Sequence, residues 1–147
     1  MAGEAKRVYG TQFTLSSGSD AAINSGAVGT PGGGNNPYTS TETGDYPNLA
    51  LTLTCAFGAT PNQNGTIDVH IVPHDIDGTT DARDVSASYR PYWRGSFIVD
   101  SQSSSQNYYC EAYDVPKKGK VMLYNNAGQQ LSANYALKAL PFTLGPA

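Results

Sequence analysis

Residues 49–57 alternate between large and small side chains, and this pattern most constrains how the 147-residue chain can fold. The large or apolar set is Leu49, Leu51, Leu53, Cys55 and Phe57. Alternation with a period of two places one set on a single face of a β-strand. Residues 58–65 are rich in turn formers, and Ile67, Val69 and Ile71 then resume the alternation. The stretch therefore predicts two neighbouring antiparallel strands with one face in a core.

The rest of the chain contains further short alternating segments that are separated by turn signals. Strands are predicted within residues 8–15, 95–100, 108–113, 120–125 and 130–140. Pro141 and Pro146 predict that the C-terminal tail does not pair. Seven or eight short strands at near-regular spacing predict an all-β fold, an antiparallel β-sandwich of jelly-roll type. The predicted core contains Leu51, Leu53, Phe57, Ile67, Val69, Phe97, Leu123 and Leu137.

Residues 16–47 differ in composition, because Gly, Pro, Ser, Thr and Asn dominate them. A structureless loop of this length is uncommon inside a compact domain. It is interpreted either as a flexible surface loop or as an arm that becomes ordered on a neighbouring subunit, with Tyr38 and Tyr46 as anchors. The chain is expected to form one domain, with an N-terminal strand and arm in residues 1–47 and a sandwich core in residues 48–147. The first seven residues are polar and are expected to be mobile.

Charge and hydropathy exclude several classes of partner. The net charge is −3 and only 14% of the residues are charged, which argues against a nucleic-acid-binding surface. The sequence has no run of about 18 apolar residues, so no membrane partner is expected. Its N-terminus also lacks the apolar core of a signal peptide, which predicts synthesis in the cytoplasm.

Few residues offer catalytic chemistry. The chain has two histidines, of which His70 lies on the polar phase of its strand and is predicted to be solvated. His74 precedes three acidic residues, Asp75, Asp77 and Asp81, whose alternating carboxylates are a candidate calcium site. The alternative is an acidic turn in which aspartates bond their own backbone. We predict no enzymatic activity and no cofactor, because no His-centred catalytic constellation is evident.

The two cysteines, Cys55 and Cys110, are in phase with apolar neighbours and are predicted to point into the sandwich. A pair facing each other across it could form a disulfide. Disulfides are rare in a reducing cytoplasm, which favours buried free thiols.

An aromatic and basic cluster lies at residues 89–94. Its members are Tyr89, Arg90, Tyr92, Trp93 and Arg94. Exposed aromatic residues on a sandwich could stack on sugar rings, but Tyr, Trp and Arg together are typical of protein interfaces. We predict a protein interface that includes this cluster, Tyr38 and Tyr46.

Three phrases of the sequence occur together: NLALTLTCAFG, TIDVHIVPHDIDGTTDA and GKVMLYNNAGQQLSANYALKALPF. In this combination, which covers about residues 48–142, the chain resembles virion structural proteins of tailed phages, in particular small β-sandwich head-decoration (cement) proteins. The resemblance implies a bacteriophage capsid decoration protein on the head surface that binds the major capsid protein without covalent chemistry. It also implies a homo-oligomer, with a homotrimer favoured near three-fold axes. A carbohydrate-binding or tail-associated adhesion module is the alternative.

Overall fold

The computed structural model describes residues 5–146, and residues 1–4 of the predicted mobile N-terminus lie outside that range. The strands are Ala5–Tyr9 (β1), Phe13–Ser17 (β2), Val28–Gly29 (β3), Asn48–Cys55 (β4), Thr66–Pro73 (β5), Trp93–Ile98 (β6), Gln106–Ala112 (β7), Gly119–Asn126 (β8) and Ala136–Pro146 (β9). A single helical turn, Ser40–Thr43 (α1), begins at the N-cap Thr39 and ends at Gly44 in the left-handed conformation. No helix within residues 5–146 is long and apolar enough to span a membrane.

The strands form two antiparallel sheets. In the first sheet, β1 and β2 lie along one side of β9, which is followed by β4 and β7. The second sheet has the order β3–β8–β5–β6. Side chains from the inner faces of both sheets meet in one apolar core. This arrangement confirms the predicted all-β antiparallel β-sandwich, while its jelly-roll subtype stays a prediction.

The core contains every residue that the alternation assigned to it. Leu51, Leu53, Phe57, Ile67, Val69, Phe97, Leu123 and Leu137 are all buried. Leu49, Leu51 and Leu53 are fully buried along β4, which has hydrogen-bonded neighbours on both sides in β7 and β9. A central strand with one face in the core produces the observed period of two.

Residues 18–47, called the edge segment below, lie along the body of the sandwich. The amide of Ile23 donates to the carbonyl of Leu131 (3.0 Å), and Tyr38 exchanges backbone hydrogen bonds with Gly119 at the start of β8. On the other side, the amide of Asn35 donates to the carbonyl of Thr14 in β2 (2.7 Å). The edge segment therefore covers the outer edges of β2 and β8 and connects the two sheets. These contacts place the segment on its own domain and do not confirm the predicted arm that becomes ordered on a neighbouring subunit.

Polar side chains hold the edge segment in place, which explains why apolar patterning does not reveal it. The carboxylate of Asp20 accepts from the amide of Gly32 at 2.9 Å. The side-chain amide of Asn36 both donates to and accepts from the backbone of Val121. These hydrogen bonds satisfy backbone groups that would otherwise be unpaired at a sheet edge.

β9 extends further than the prolines predicted. It pairs with β4 up to Phe142 and with β1 from there to Pro146. Pro141, which has no N–H, lies opposite the beginning of β4 on one side. On its other side the paired strand changes from β1 to β2, and its carbonyl accepts from the Gly10 amide at 2.8 Å. A proline is tolerated at such a break, so the prediction of an unpaired tail is wrong. Arg7, expected in a mobile terminus, lies in β1.

Residues 74–92, called the cover loop below, fold over half of the outer face of the second sheet. Val85 of this loop packs against Val72 of β5 and Met122 of β8 in a small second apolar cluster. The loop therefore buries side chains that point away from the main core.

His70 lies on this covered face. It is only 3% exposed, and its Nδ1 lies 2.8 Å from the carbonyl oxygen of Pro91. The prediction of a solvated histidine is wrong, because alternation identifies the outward phase of a strand but not whether another segment covers it.

Candidate interaction surfaces

The seven residues predicted to form an interface do not share one surface. Tyr38 is fully buried within its own chain, where its hydroxyl donates to the carbonyl of Pro116 (2.7 Å) and its ring packs beside Phe13. It therefore offers no area to a neighbouring subunit, and its predicted role as an anchor is wrong. Tyr46 is half-buried beside Gly10.

The aromatic residues of the 89–94 cluster also separate. The ring of Tyr89 lies under the guanidinium of Arg83, with 4.5 Å between Cζ and the ring centroid. Tyr92 packs against the small apolar cluster beneath the cover loop. Only Trp93 presents most of its side chain, so Tyr89, Tyr92 and Trp93 do not form a common platform for a sugar.

Trp93 lies at the border of the half of the second sheet that the cover loop leaves open. Its side chain is 58% exposed, and that of Ile98 on the same strand is 63% exposed. The indole Nε1 donates to Ser96 Oγ (3.0 Å), which donates to Asp68 Oδ1 (2.7 Å). This chain of hydrogen bonds fixes the orientation of the exposed indole. We call this area the recessed face, with the members Thr66, Asp68, Trp93, Ser96, Ile98, Tyr124 and Asn126.

Of the two predicted interface arginines, Arg90 lies on this area. The guanidinium of Arg90 lies over the ring of Tyr124, with 4.2 Å between Cζ and the ring centroid. Arg94 is the extra residue of a β-bulge, since Val69 pairs with Gly95 and His70 pairs with Trp93. Of the predicted interface residues, Arg90 and Trp93 are therefore the two that the structure brings to an open surface together.

Of the predicted calcium ligands, the structure brings Asp75 and Asp81 together and leaves Asp77 outside their cluster. The carboxylate of Asp77 accepts from the amides of Thr79 (3.0 Å) and Thr80 (2.6 Å) and caps its own turn. The Thr79 and Thr80 hydrogen bonds lower the pKa of Asp77 to about 2. Asp77 thus has the backbone-bonding role that the alternative interpretation gave it.

Asp75 and Asp81 lie beside His74 instead. Their oxygen atoms and a ring nitrogen of His74 all lie within 4.8 Å of one another. His74 Nδ1 is 2.9 Å from Asp81 Oδ1, and Lys118 Nζ is 3.7 Å from Asp75 Oδ2. The carboxylates of this cluster therefore already have neighbours in the chain itself, His74 beside Asp81 and Lys118 beside Asp75.

The cysteines lie on neighbouring strands of the same sheet. Cys110 pairs with Leu51, whereas Cys55 is four residues further along β4 and pairs with Gln106. Four residues span about 13 Å along a strand, well beyond the roughly 7 Å that a disulfide allows between Cα atoms. Both thiols are buried, as predicted, and burial raises the pKa of each to about 12.

A second surface, which the sequence did not predict, lies on the outer face of the first sheet. Arg7 of β1 forms a salt bridge with Glu111 of β7, and the guanidinium lies 4.7 Å above the ring centroid of Phe142 in β9. Phe142 is fully buried by these neighbours although it points away from the core. Hydrogen bonding from Arg7 lowers the pKa of Glu111, so the pair is charged at neutral pH.

Exposed aromatic and apolar side chains surround this ion pair. The rings of Tyr9 and Tyr113 lie 6.2 Å and 5.7 Å from the Phe142 centroid. Tyr109 and Leu144 are more than half exposed, as is Tyr9. We call this the tyrosine surface, with the members Arg7, Tyr9, Tyr109, Glu111, Tyr113, Phe142 and Leu144.

The tyrosine surface brings together three strands that are far apart in sequence. Its only local signal lies in and just after β7, where Tyr109 and Tyr113 occupy the outward phase that polar side chains usually fill. Arg7 and Phe142 join them only through the pairing of β9 with both β1 and β4.

Comparisons with protein-family models, with curated proteins and with solved structures give no match for this chain.

Proposed function

We propose that this chain is a bacteriophage capsid decoration protein, which binds the outside of the head shell and stabilises it through non-covalent contacts with the major capsid protein. The observation that carries the proposal is the tyrosine surface, together with the resemblance in residues 48–142. A decoration protein must hold its partner without reacting with it, and the tyrosine surface offers contact area rather than a nucleophile.

The composition of this surface suits a protein partner. Tyrosine and arginine are enriched at the energetic centres of protein interfaces, where large rings contribute area with few rotatable bonds. Arg7 lies over Phe142 and bonds Glu111, which fixes the middle of the surface before binding. A preformed surface on strands loses little conformational entropy when it docks.

The size of the surface indicates how it acts. A half-exposed tyrosine presents on the order of 100 Å², so the exposed members together present a few hundred Å². A stable pair of proteins buries about 800 Å² on each side. The tyrosine surface is thus the apolar centre of a larger contact, whose polar rim would come from the neighbouring strands.

The edge segment has no part in this mechanism. Its backbone is already paired with β2 and β8, and Tyr38 is buried, so it is not a free arm available to a neighbouring subunit. Docking through rigid strands also avoids the ordering cost of about 1–2 kcal/mol per residue that a free arm would lose on binding.

Co-sedimentation of the purified chain with empty heads of its own virus tests the proposal. We expect the wild-type chain to bind, and Leu144→Ser and Tyr109→Ala each to weaken binding by about tenfold or more, since interface anchors commonly contribute that much. Ile76→Ser is the matched control, because Ile76 is 62% exposed and Leu144 56%, while Ile76 lies in the turn of the cover loop.

Two results would contradict the proposal in different ways. A folded wild-type chain that does not bind the heads overturns the function. If Leu144→Ser and Tyr109→Ala bind the heads as tightly as Ile76→Ser does, the proposed function is retained. In that case the assignment of the contact to the tyrosine surface is overturned.

A further inference from the structure

We infer that the recessed face of the second sheet binds the same face of a second copy of this chain, about a two-fold axis. This surface is on the opposite sheet from the tyrosine surface. The inference concerns the free protein in solution, and it does not rest on the proposed function.

The first argument is shape. The cover loop buries Val72, Met122 and His70, so it rises above one half of the outer face of the sheet. The other half carries Ile98 and Trp93 with more than half of each side chain exposed. The outer face is thus a ridge beside a recess. Two copies related by a two-fold axis can place the ridge of each in the recess of the other, which is the self-complementarity that an isologous interface requires.

The second argument is the exposed apolar area. Trp93 and Ile98 lie on the same strand and present large apolar groups to solvent. Tryptophan is the side chain most enriched at interface hot spots. Trp93 is also held by its hydrogen bond to Ser96, so a partner meets a side chain that is already ordered.

The third argument is charge. Asp68 and Arg90 lie near each other on this face, because Arg90 covers Tyr124 and Tyr124 pairs directly with Asp68 between β8 and β5. Neither Asp68 nor Arg90 forms an ion pair within the described part of the chain. The face therefore carries one acid and one base.

This charge pattern favours a second copy over another partner. About a two-fold axis, Asp68 of each copy can pair with Arg90 of the other, so the dimer contains two such ion pairs. A uniformly acidic or basic partner would leave one of the two opposed by a like charge, which is unfavourable at an interface. The inferred oligomer is therefore a two-fold symmetric dimer, whereas the resemblance implies a trimer.

Sedimentation equilibrium from about 1 to 300 µM tests the inference, because a contact centred on two apolar anchors per copy is expected in the micromolar range. We expect a monomer–dimer equilibrium for the wild-type chain, weakened about tenfold or more by Trp93→Ser and unchanged by Leu144→Ser on the other sheet. A chain that stays monomeric at about 300 µM, or forms trimers, overturns the inference, as does a dimer that Trp93→Ser does not weaken.

A charge-exchange experiment tests the pairing itself. Asp68→Arg and Arg90→Asp each place like charges opposite each other in a two-fold dimer, so each variant alone should be monomeric. An equimolar mixture restores both opposite-charge pairs and should form a one-to-one heterodimer. Circular dichroism melts check that both variants fold. Arg90 is exposed in a loop, so Arg90→Asp is expected to fold and tests the pairing even if Asp68→Arg does not fold. Single variants that dimerise like the wild type, or a mixture without heterodimer, overturn the pairing of Asp68 with Arg90.

Discussion

The side-chain amide of Asn36 pairs with both backbone groups of Val121. Asn36 Oδ1 accepts from the Val121 amide at 2.8 Å, and Nδ2 donates to the Val121 carbonyl at 2.9 Å. An asparagine side chain thus replaces a strand residue beside β8, between the backbone pairs made by β3 and by Tyr38. The edge segment therefore completes the second sheet partly with side-chain atoms.

Asn36→Ala should lower the free energy of unfolding by about 1–3 kcal/mol, because it leaves the N–H and C=O of Val121 without partners. Asn35→Ala is the matched control, since Asn35 is exposed and its observed bond to Thr14 uses backbone atoms. Urea denaturation of both variants measures the difference. Equal stabilities would show that the Asn36 side chain does not support this edge.

Leu53→Ala should cost about 2–5 kcal/mol of stability, because it leaves a cavity in the centre of the core. Leu53 is fully buried and its strand has neighbours on both sides. Thr52→Ala, on the opposite face of the same strand, should cost much less. A cost below about half a kcal/mol for Leu53→Ala would mean that the wrong face of β4 has been placed inside.

Cys55 and Cys110 should react slowly with a thiol reagent in native buffer at pH 8. Burial raises the pKa of both thiols to about 12, so the thiolate, which is the reacting form, is scarce. Both should react at once after unfolding without added reductant. Fast labelling of either in the native state would place its strand at the surface, and a need for reductant would reveal a disulfide.

Asp77 should titrate far below an ordinary aspartate. Its pKa is lowered to about 2 by hydrogen bonds from Thr79 and Thr80. An unfolded aspartate has a pKa near 3.9, so these bonds stabilise the turn above about pH 4, and the contribution is lost as pH falls through about 2. NMR titration of the carboxylate measures this pKa, and Thr80→Val should move it upward. An Asp77 pKa of about 4 in the wild-type chain would contradict the described turn.

The strands and their inward faces could be predicted because burial on one side of a strand leaves a period-two record. Leu51 and Leu53 follow that record, and both are in the core. The outer face of β5 is also covered, but no alternation in the sequence indicates this. The prediction that His70 is solvated was therefore wrong. Alternation of apolar residues also does not indicate hydrogen bonds made by side chains. The bonds of Asp20 and Asn36 therefore did not allow the packing of residues 18–47 on the sandwich to be predicted.

The surfaces were harder to predict than the core, because a surface depends on strand register. Tyr113 and Arg7 become neighbours of Phe142 only when β9 pairs with β1 on one side and with β4 on the other. Trp93 and Arg90 could be assigned to one surface from the sequence because they lie close together in it. Tyr38 is also a residue type that is common at interfaces, but it is buried because the edge segment pairs with β8 at that point.

The edge segment has a consequence for how the protein behaves at high concentration. An uncovered strand edge presents unpaired N–H and C=O groups and can act as a template for aggregation with other chains. Residues 18–47 shield two such edges, those of β2 and β8, and only the two residues of β3 within this segment form a strand. Removal of residues 21–45 would therefore be expected to produce insoluble, fibre-like material before it produced a soluble unfolded chain. The part of the sequence with the weakest apolar pattern is thus the part that covers the edges of β2 and β8.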